Sequence, residues 1–249
     1  MIKLKNSKQI EGIRKSCRLL AQVYLKLIPQ VGEGLTTAEL DKIARELITS
    51  RGGRPAFLNY DGYPGALCTS VNHQVIHGIP GNYKLQNGDI ISLDLGIELN
   101  GFFSDQAVTL PIGSVSPDAE KLMRVTSECL YRGIDAAREG NRVKDISRAV
   151  QAHASAHGFG VVREFCGHGV GLAVHEEPQI PNYVGPGPNP RLKAGMVVAI
   201  EPMINLGTDA VHVLDDGWTV ETADHSLSAH FEHTVVILKG KTEILTLPD

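Results

Sequence analysis

The feature that most constrains this chain is an order of elements that occurs twice. Ile10, Ile13, Leu20, Val23, Tyr24, Leu27 and Ile28 recur at helical spacing over residues 7–28. Thr36-Thr37-Ala38-Glu39 reads as a capping box that starts a second helix, which runs to about Gly52. A third helix begins after Ser116-Pro117, with serine as cap and proline in the first turn, and runs towards Gly140. A fourth covers about 143–157 and stops at Gly158. The runs Asp89–Asp94, Met196–Glu201 and Thr234–Leu238 are β-branched and read as strands. Glu33-Gly34 falls on Glu139-Gly140 at an offset of 106, and Gly88–Asp94 on Gly195–Glu201 at an offset of 107. His77-Gly78-Ile79-Pro80 also matches His175-Glu176-Glu177-Pro178 in outline. The pattern predicts one α+β domain over 1–249. It would comprise two pseudo-symmetric halves, about 1–110 and 111–249, whose matched strands meet at a shared centre.

Composition removes several function classes. A chain of 249 residues, 42% of them hydrophobic, buries enough surface to fold without disulfides or metal. Its net charge of −4 argues against a nucleic-acid partner. Because no apolar run approaches the ~18 residues of a membrane span, no membrane partner is expected. The opening MIKLKNSKQIEG has lysines but no apolar core, so no signal peptide is predicted. Cys17, Cys68, Cys129 and Cys166 form no C-x-x-C pair, which fits reduced thiols and a cytoplasmic location.

Acids interrupt the apolar strands. Asp94 and Glu201 fall at the same place in the two halves, Glu232 precedes His233-Thr234-Val235-Val236-Ile237, and Asp105 follows Gly101-Phe102-Phe103-Ser104. The turn residues from Leu95-Gly96 to Asn100-Gly101 suit a hairpin that sets Asp94 beside Asp105. Any one such acid could face solvent or pair with arginine. If all four converge within about 5 Å, each like-charge pair costs roughly 3 kcal/mol at an effective dielectric near 20. Two divalent cations would balance four carboxylates, in the manner of two-metal hydrolytic sites. The run Cys166–Pro178 carries His168 and His175 seven residues apart, which an unbroken strand would send to opposite faces. A bend would let one bind metal while the other faces substrate. His153, His157, His212, His225 and His230 read as surface or core residues. Oxygen-rich ligation with a single imidazole suits Mn, Fe or Co at least as well as Zn.

Several stretches resemble the type I methionine aminopeptidases over nearly the whole chain: His77-Gly78-Ile79-Pro80, Ser92-Leu93-Asp94, Gly101–Asp105, Gly167–Gly171, His175–Gln179, Ile200–Met203 and Phe231–Thr234. That resemblance implies a pita-bread fold, an antiparallel sheet core flanked by helices, and a metalloprotease that excises N-terminal methionine by hydroxide attack at a dinuclear site. Asp94, Asp105, His168, Glu201 and Glu232 would be the ligands, with Asp105 and Glu232 bridging, Asp94 on one ion, and His168 and Glu201 on the other. The metals would be Co, Mn, Fe or Zn. Glu201 would shuttle the proton, His175 would hold the carbonyl oxygen, and His77 would lie near the scissile nitrogen. Tyr60, Tyr63, Cys68 and Trp218 would form the methionine pocket with His77 and His175. A monovalent cation beside Asn72 and Ser228 is also implied.

The partners implied are peptide N-termini, including nascent chains at the ribosome, acted on by a monomer. Bacterial members often carry phenylalanine just before the second histidine, where this chain has Val174, and Leu172 replaces a more polar residue. An Xaa-Pro aminopeptidase of the same fold would usually bring a long N-terminal domain, whereas 76 residues precede His77. Type II methionine enzymes carry an insertion between the last two acidic ligands, and the 31 residues from Glu201 to Glu232 leave no room for it. A metal-free peptide-binding pseudoenzyme would have no reason to keep all five ligands.

Overall fold

A computed structural model describes residues 1–248. The first half holds α1 (Ser7–Leu27), α2 (Thr37–Thr49), β1 (Arg54–Pro55), β2 (Cys68–Val71), β3 (Gln74–Ile76), β4 (Ile90–Leu99) and β5 (Phe102–Pro111). Next come α3 (Pro117–Ala136), α4 (Val143–Ala156), β6 (Gly160–Val161), β7 (Gly167–Gly169), β8 (Glu176–Ile180), β9 (Val197–Ile200) and β10 (Met203–Asn205). The chain closes with β11 (Val211–Val213), β12 (Val220–Thr222), β13 (Ser228–His230), β14 (Glu232–Leu238) and β15 (Lys241–Ile244).

The helix ends obey local chemistry. Thr36 and Glu39 make the expected capping box, and Ser116 caps α3 with Pro117 in its first turn. The main sheet runs β1-β4-β5-β14-β9-β7-β8, with β15 also on β14 and β2 also on β4. Every recorded strand pairing among the described residues is antiparallel.

Side-chain alternation decides which face of each strand is buried against helices. On β4, Ile91, Leu93, Leu95 and Ile97 pack with Leu20, Val23 and Leu27 of α1 and with Leu40 and Ala44 of α2. On β9 and β14, Val198, Ile200, Val235 and Ile237 pack with Leu130 and Ile134 of α3 and with Ile146 of α4. Asp94, one residue out of phase with Leu93 and Leu95, is therefore turned to the opposite face. The hairpin turn is Asn100-Gly101, both residues at positive φ (53° and 81°), as a two-residue primed turn requires. Gly96 belongs to the strand, not to the turn. A side chain there would collide with Phe57, since a Cβ would stand 2.6 Å from its ring.

Strands β5 and β14 join the helix-packed blocks through a short seam. Their backbones pair only at Glu232↔Ala107 and His233↔Gln106. Threonine hydroxyls extend the seam at both ends. Thr234 Oγ1 donates to the Asp105 carbonyl (2.8 Å) and accepts the Asp105 N–H (3.1 Å). Thr109 Oγ1 donates to the His230 carbonyl (2.8 Å) and accepts the His230 N–H (2.9 Å). Thr234→Val keeps the shape but leaves the buried Asp105 N–H without its acceptor. It should cost about 1–3 kcal/mol in urea unfolding, and a value near zero would show that the hydroxyl adds nothing to the seam.

Candidate active site

The register of four strands draws the acids into a line across the sheet. Asp94 pairs with Ala107, Ala107 with Glu232, and His233 with Ile200, which sets Glu232 across from Glu201 just beyond β9. Asp105 stands opposite Gly96, not Asp94. The two aspartates are thus diagonal neighbours on one face, a correction to the side-by-side expectation. Cys68 of β2 flanks Asp94 on the other side. His168 enters from β7, whose Gly169 pairs with Val198.

The run from His168 to His175 breaks as its spacing demands. Strand β7 ends at Gly169, the chain turns, and β8 begins at Glu176. The two imidazoles meet edge-on with ring centres 4.3 Å apart. Glu176 secures the turn by accepting the N–H groups of Leu172 (2.7 Å) and Ala173 (3.3 Å), while Lys5 pairs with its other oxygen at 3.1 Å. His168 Nδ1–H donates to the Gly169 carbonyl (3.0 Å), which leaves Nε2 as a lone pair. That Nε2 lies 3.3 Å from Glu201 Oε1 and 3.8 Å from Asp105 Oδ2.

Electron-rich atoms this close repel unless a cation or proton lies among them. One oxygen each of Asp94, Asp105, Glu201 and Glu232 is buried with no hydrogen-bond partner. Donor atoms of Asp105, His168 and Glu232 all lie within 4.8 Å of one another. Burial pushes the Asp94 carboxyl up to about 7. Burial and neighbouring carboxylates push Asp105, Glu201 and Glu232 well above the usual range. His168 is pushed down to about 3 and His77 to about 4, first by burial and then by His175. The donor set therefore fits divalent cations: oxygen-rich, with one oriented imidazole lone pair and unsatisfied buried carboxylates.

A cavity of about 570 Å³ opens above this line. Its walls include every residue expected at the site: Tyr60, Tyr63, Cys68, His77, His175 and Trp218 together with the five acid and imidazole donors. The Tyr63 and Trp218 rings meet edge-on at 5.2 Å, and Trp218 lies 6.1 Å from His77. Tyr63 donates its hydroxyl proton to the Gly78 carbonyl (2.9 Å). Tyr60 Oη sits 2.9 Å from His175 Nδ1. Val174 packs with Phe57, Tyr63 and Cys68 behind the aromatic wall. Asn72 and Ser228 meet through the Ser228 N–H, which donates to the Asn72 carbonyl at 2.9 Å. All four cysteines are free thiols.

Sequence reasoning missed several neighbours. Phe57, Phe165 and Gln179 also line the cavity. His230 is buried, as a core residue should be, yet its Nε2 lies 3.8 Å from Glu201 Oε2 and both ring nitrogens lack partners. Its place two residues before Glu232 was the available signal.

Residues 11–239 match the metallopeptidase family M24. The chain is 55% identical over 249 residues to a methionine aminopeptidase of Treponema pallidum, covering 100% of this chain and 97% of that one. It is 53% identical over 247 residues to one of Clostridium perfringens, covering 99% of each. A solved methionine aminopeptidase of Rickettsia prowazekii superposes with a TM-score of 0.97 at 40% identity, over 99% of this chain and 100% of that one. Prolidase from Pyrococcus furiosus, 23% identical, shares the fold with a TM-score of 0.78 over 99% of this chain and 66% of its own. The architecture is thus the expected α+β pita-bread fold.

The electrostatics predict how the chelated protein responds to pH. Carboxyls with raised folded-state pKa values contribute stability at low pH that is lost as pH rises, with Asp94 titrating near 7. The depressed imidazoles act in the opposite sense, costing stability as pH falls below their unfolded value of 6.5. In EDTA the melting temperature should therefore fall from about pH 6.5 to pH 8. Added Mn²⁺ should reverse the slope, because its ligands bind deprotonated. A flat profile in EDTA would contradict the crowding of carboxylates.

Proposed function

The chain belongs to metallopeptidase family M24, and from that premise we propose that it removes the N-terminal methionine of polypeptides by metal-dependent hydrolysis. The observation carrying this reading is the line of partnerless buried carboxylates beneath an apolar, aromatic-walled cavity. Asp94, Asp105, His168, Glu201 and Glu232 would hold two divalent cations, with Co, Mn, Fe and Zn as candidates. Such ions lower the pKa of bound water to about 7 and polarise a carbonyl oxygen.

The chain's own groups divide the remaining work. Glu201 would carry a proton from the attacking water to the leaving amine. With the Tyr60 hydroxyl donating to Nδ1, His175 presents Nε2–H as a donor to the substrate carbonyl oxygen as negative charge develops there. Half-buried His77, its pKa lowered to about 4, stays neutral at pH 7 and would hydrogen-bond the scissile nitrogen. Tyr63, Trp218 and Cys68 supply an apolar, polarizable surface suited to a thioether. Asn72 and Ser228 are candidates for a monovalent cation. Pseudo-repeats over about 1–110 and 111–249 of one catalytic domain complete the reading, with a cytoplasmic monomer acting on nascent chains at the ribosome.

The test is hydrolysis of a Met-Gly-type peptide, which should stop on chelation and return with divalent metal. Activity indifferent to the chelator would refute the reading. His175→Ala and His77→Ala should retain metal yet lose about 10²–10³ in kcat, the usual cost of an oxyanion donor. Wild-type turnover in either would remove that role. Val174→Phe should narrow the pocket and raise the preference for Met over Leu substrates, read as the ratio of kcat/KM values.

A further inference from the structure

A second group of metal-capable side chains lies outside the cavity, at the far end of the strand pair β3–β12. His73 immediately precedes β3, Glu221 is the middle residue of β12, and His225 follows that strand. Donor atoms of all three lie within 4.8 Å of one another. His73 Nε2 and Glu221 Oε1 are 3.2 Å apart, and the two imidazole rings meet edge-on with centres at 5.5 Å. Ligands at ~2.0–2.1 Å from a tetrahedral ion stand roughly 3.3 Å from one another. The His73–Glu221 pair already has that spacing, and exposed His225 is free to swing in.

The backbone holds these groups in place. The Thr222 N–H donates to the His73 carbonyl (3.0 Å), and the His225 N–H donates to the Thr222 carbonyl (3.2 Å). Asp224 fixes the turn by accepting the N–H groups of Thr208 (2.8 Å) and Ser226 (3.0 Å). Glu221 is almost buried, and its recorded partner is an imidazole, not a lysine or arginine. The cluster of Glu128, His153 and His157 differs on this point. There Arg124 pairs with Glu128 at 2.9 Å, His153 Nε2 contacts the other oxygen at 2.7 Å, and His157 Nδ1 bonds the His153 carbonyl. That cluster has its cation already.

We propose that His73, Glu221 and His225 form a separate divalent-cation site that takes zinc or a similar imidazole-seeking ion. Two imidazoles and one carboxylate leave a position for water, a common three-ligand set for zinc. The chemistry is more nitrogen-rich than that of the active site, so the two sites should rank metals differently. An ion here would tie β3 to β12. These strands lead to His77 and from Trp218, the pocket residues at their other end.

Equilibrium dialysis of the full chain at about 10 µM free zinc fills a site of Kd ~1 µM to about nine-tenths. Metal analysis should then find about one more zinc per chain in the wild type than in His73→Gln or His225→Asn. Asparagine tolerates the left-handed backbone of residue 225 (φ 55°), and matching metal-free melting curves would show that both variants fold. Both should hydrolyse peptide at the wild-type rate when loaded with Mn²⁺. Equal zinc content in all three proteins would overturn the site whatever the activity shows, so its failure is separate from failure of the peptidase reading.

Discussion

Four carboxylates share the floor of one cleft, and the rest of the molecule is arranged around the repulsion this creates. Asp94, Asp105, Glu201 and Glu232 each keep a buried oxygen without a partner. No lysine or arginine is recorded against any of them among the described residues; the cation-capable contacts are imidazoles, His168 and His230. Burial disfavours the charge on each acid and depresses the proton affinity of each imidazole. At neutral pH without metal the acids therefore retain protons while the imidazoles stay neutral, and a divalent cation that displaces those protons relieves both the repulsion and the cost of burial. That combination suits a family of metallopeptidases.

The same constraint explains the seam. A line of like charges crossing from β4 to β9 would push its strands apart where backbone pairing is thinnest. Only two residue pairs join β5 to β14. Thr234 and Thr109 each both donate and accept across it, beside Asp105 and two residues before Glu232. Helix packing on the opposite face adds the larger share of cohesion, through fully buried Leu93, Leu95, Val198 and Val235 among others. Electrostatic cost and hydrophobic support therefore act on opposite faces of the same strands.

Much of this was readable from local chemistry. The Thr36–Glu39 capping box and the Ser116-Pro117 start are short-range rules, and α2 and α3 begin where those rules put them. The acids were visible because a carboxylate inside an apolar strand violates the pattern around it. Other features left no such mark. Strands β1, β6 and β13 have two or three residues, too few for alternation to register. Gly96 looked like a turn residue, but Asn100-Gly101 takes the turn and Gly96 makes room for Phe57. His230 read as ordinary because its one cue, a place two residues before Glu232, does not say that Glu201 lies beside it.

By itself the sequence determined the four helices, the longer strands and their order, the residue types at the centre and, through its motifs, the kind of chemistry. These depend on neighbours within a few positions, where periodicity, caps and motif spacing operate. Tertiary structure alone decided that Asp105 stands diagonal to Asp94, that His168 turns a lone pair towards Glu201, and that His73 and His225 converge on Glu221. Register and convergence arise from pairings between residues far apart in the chain. Their geometry is set by how whole strands settle against the helices, which no local pattern records.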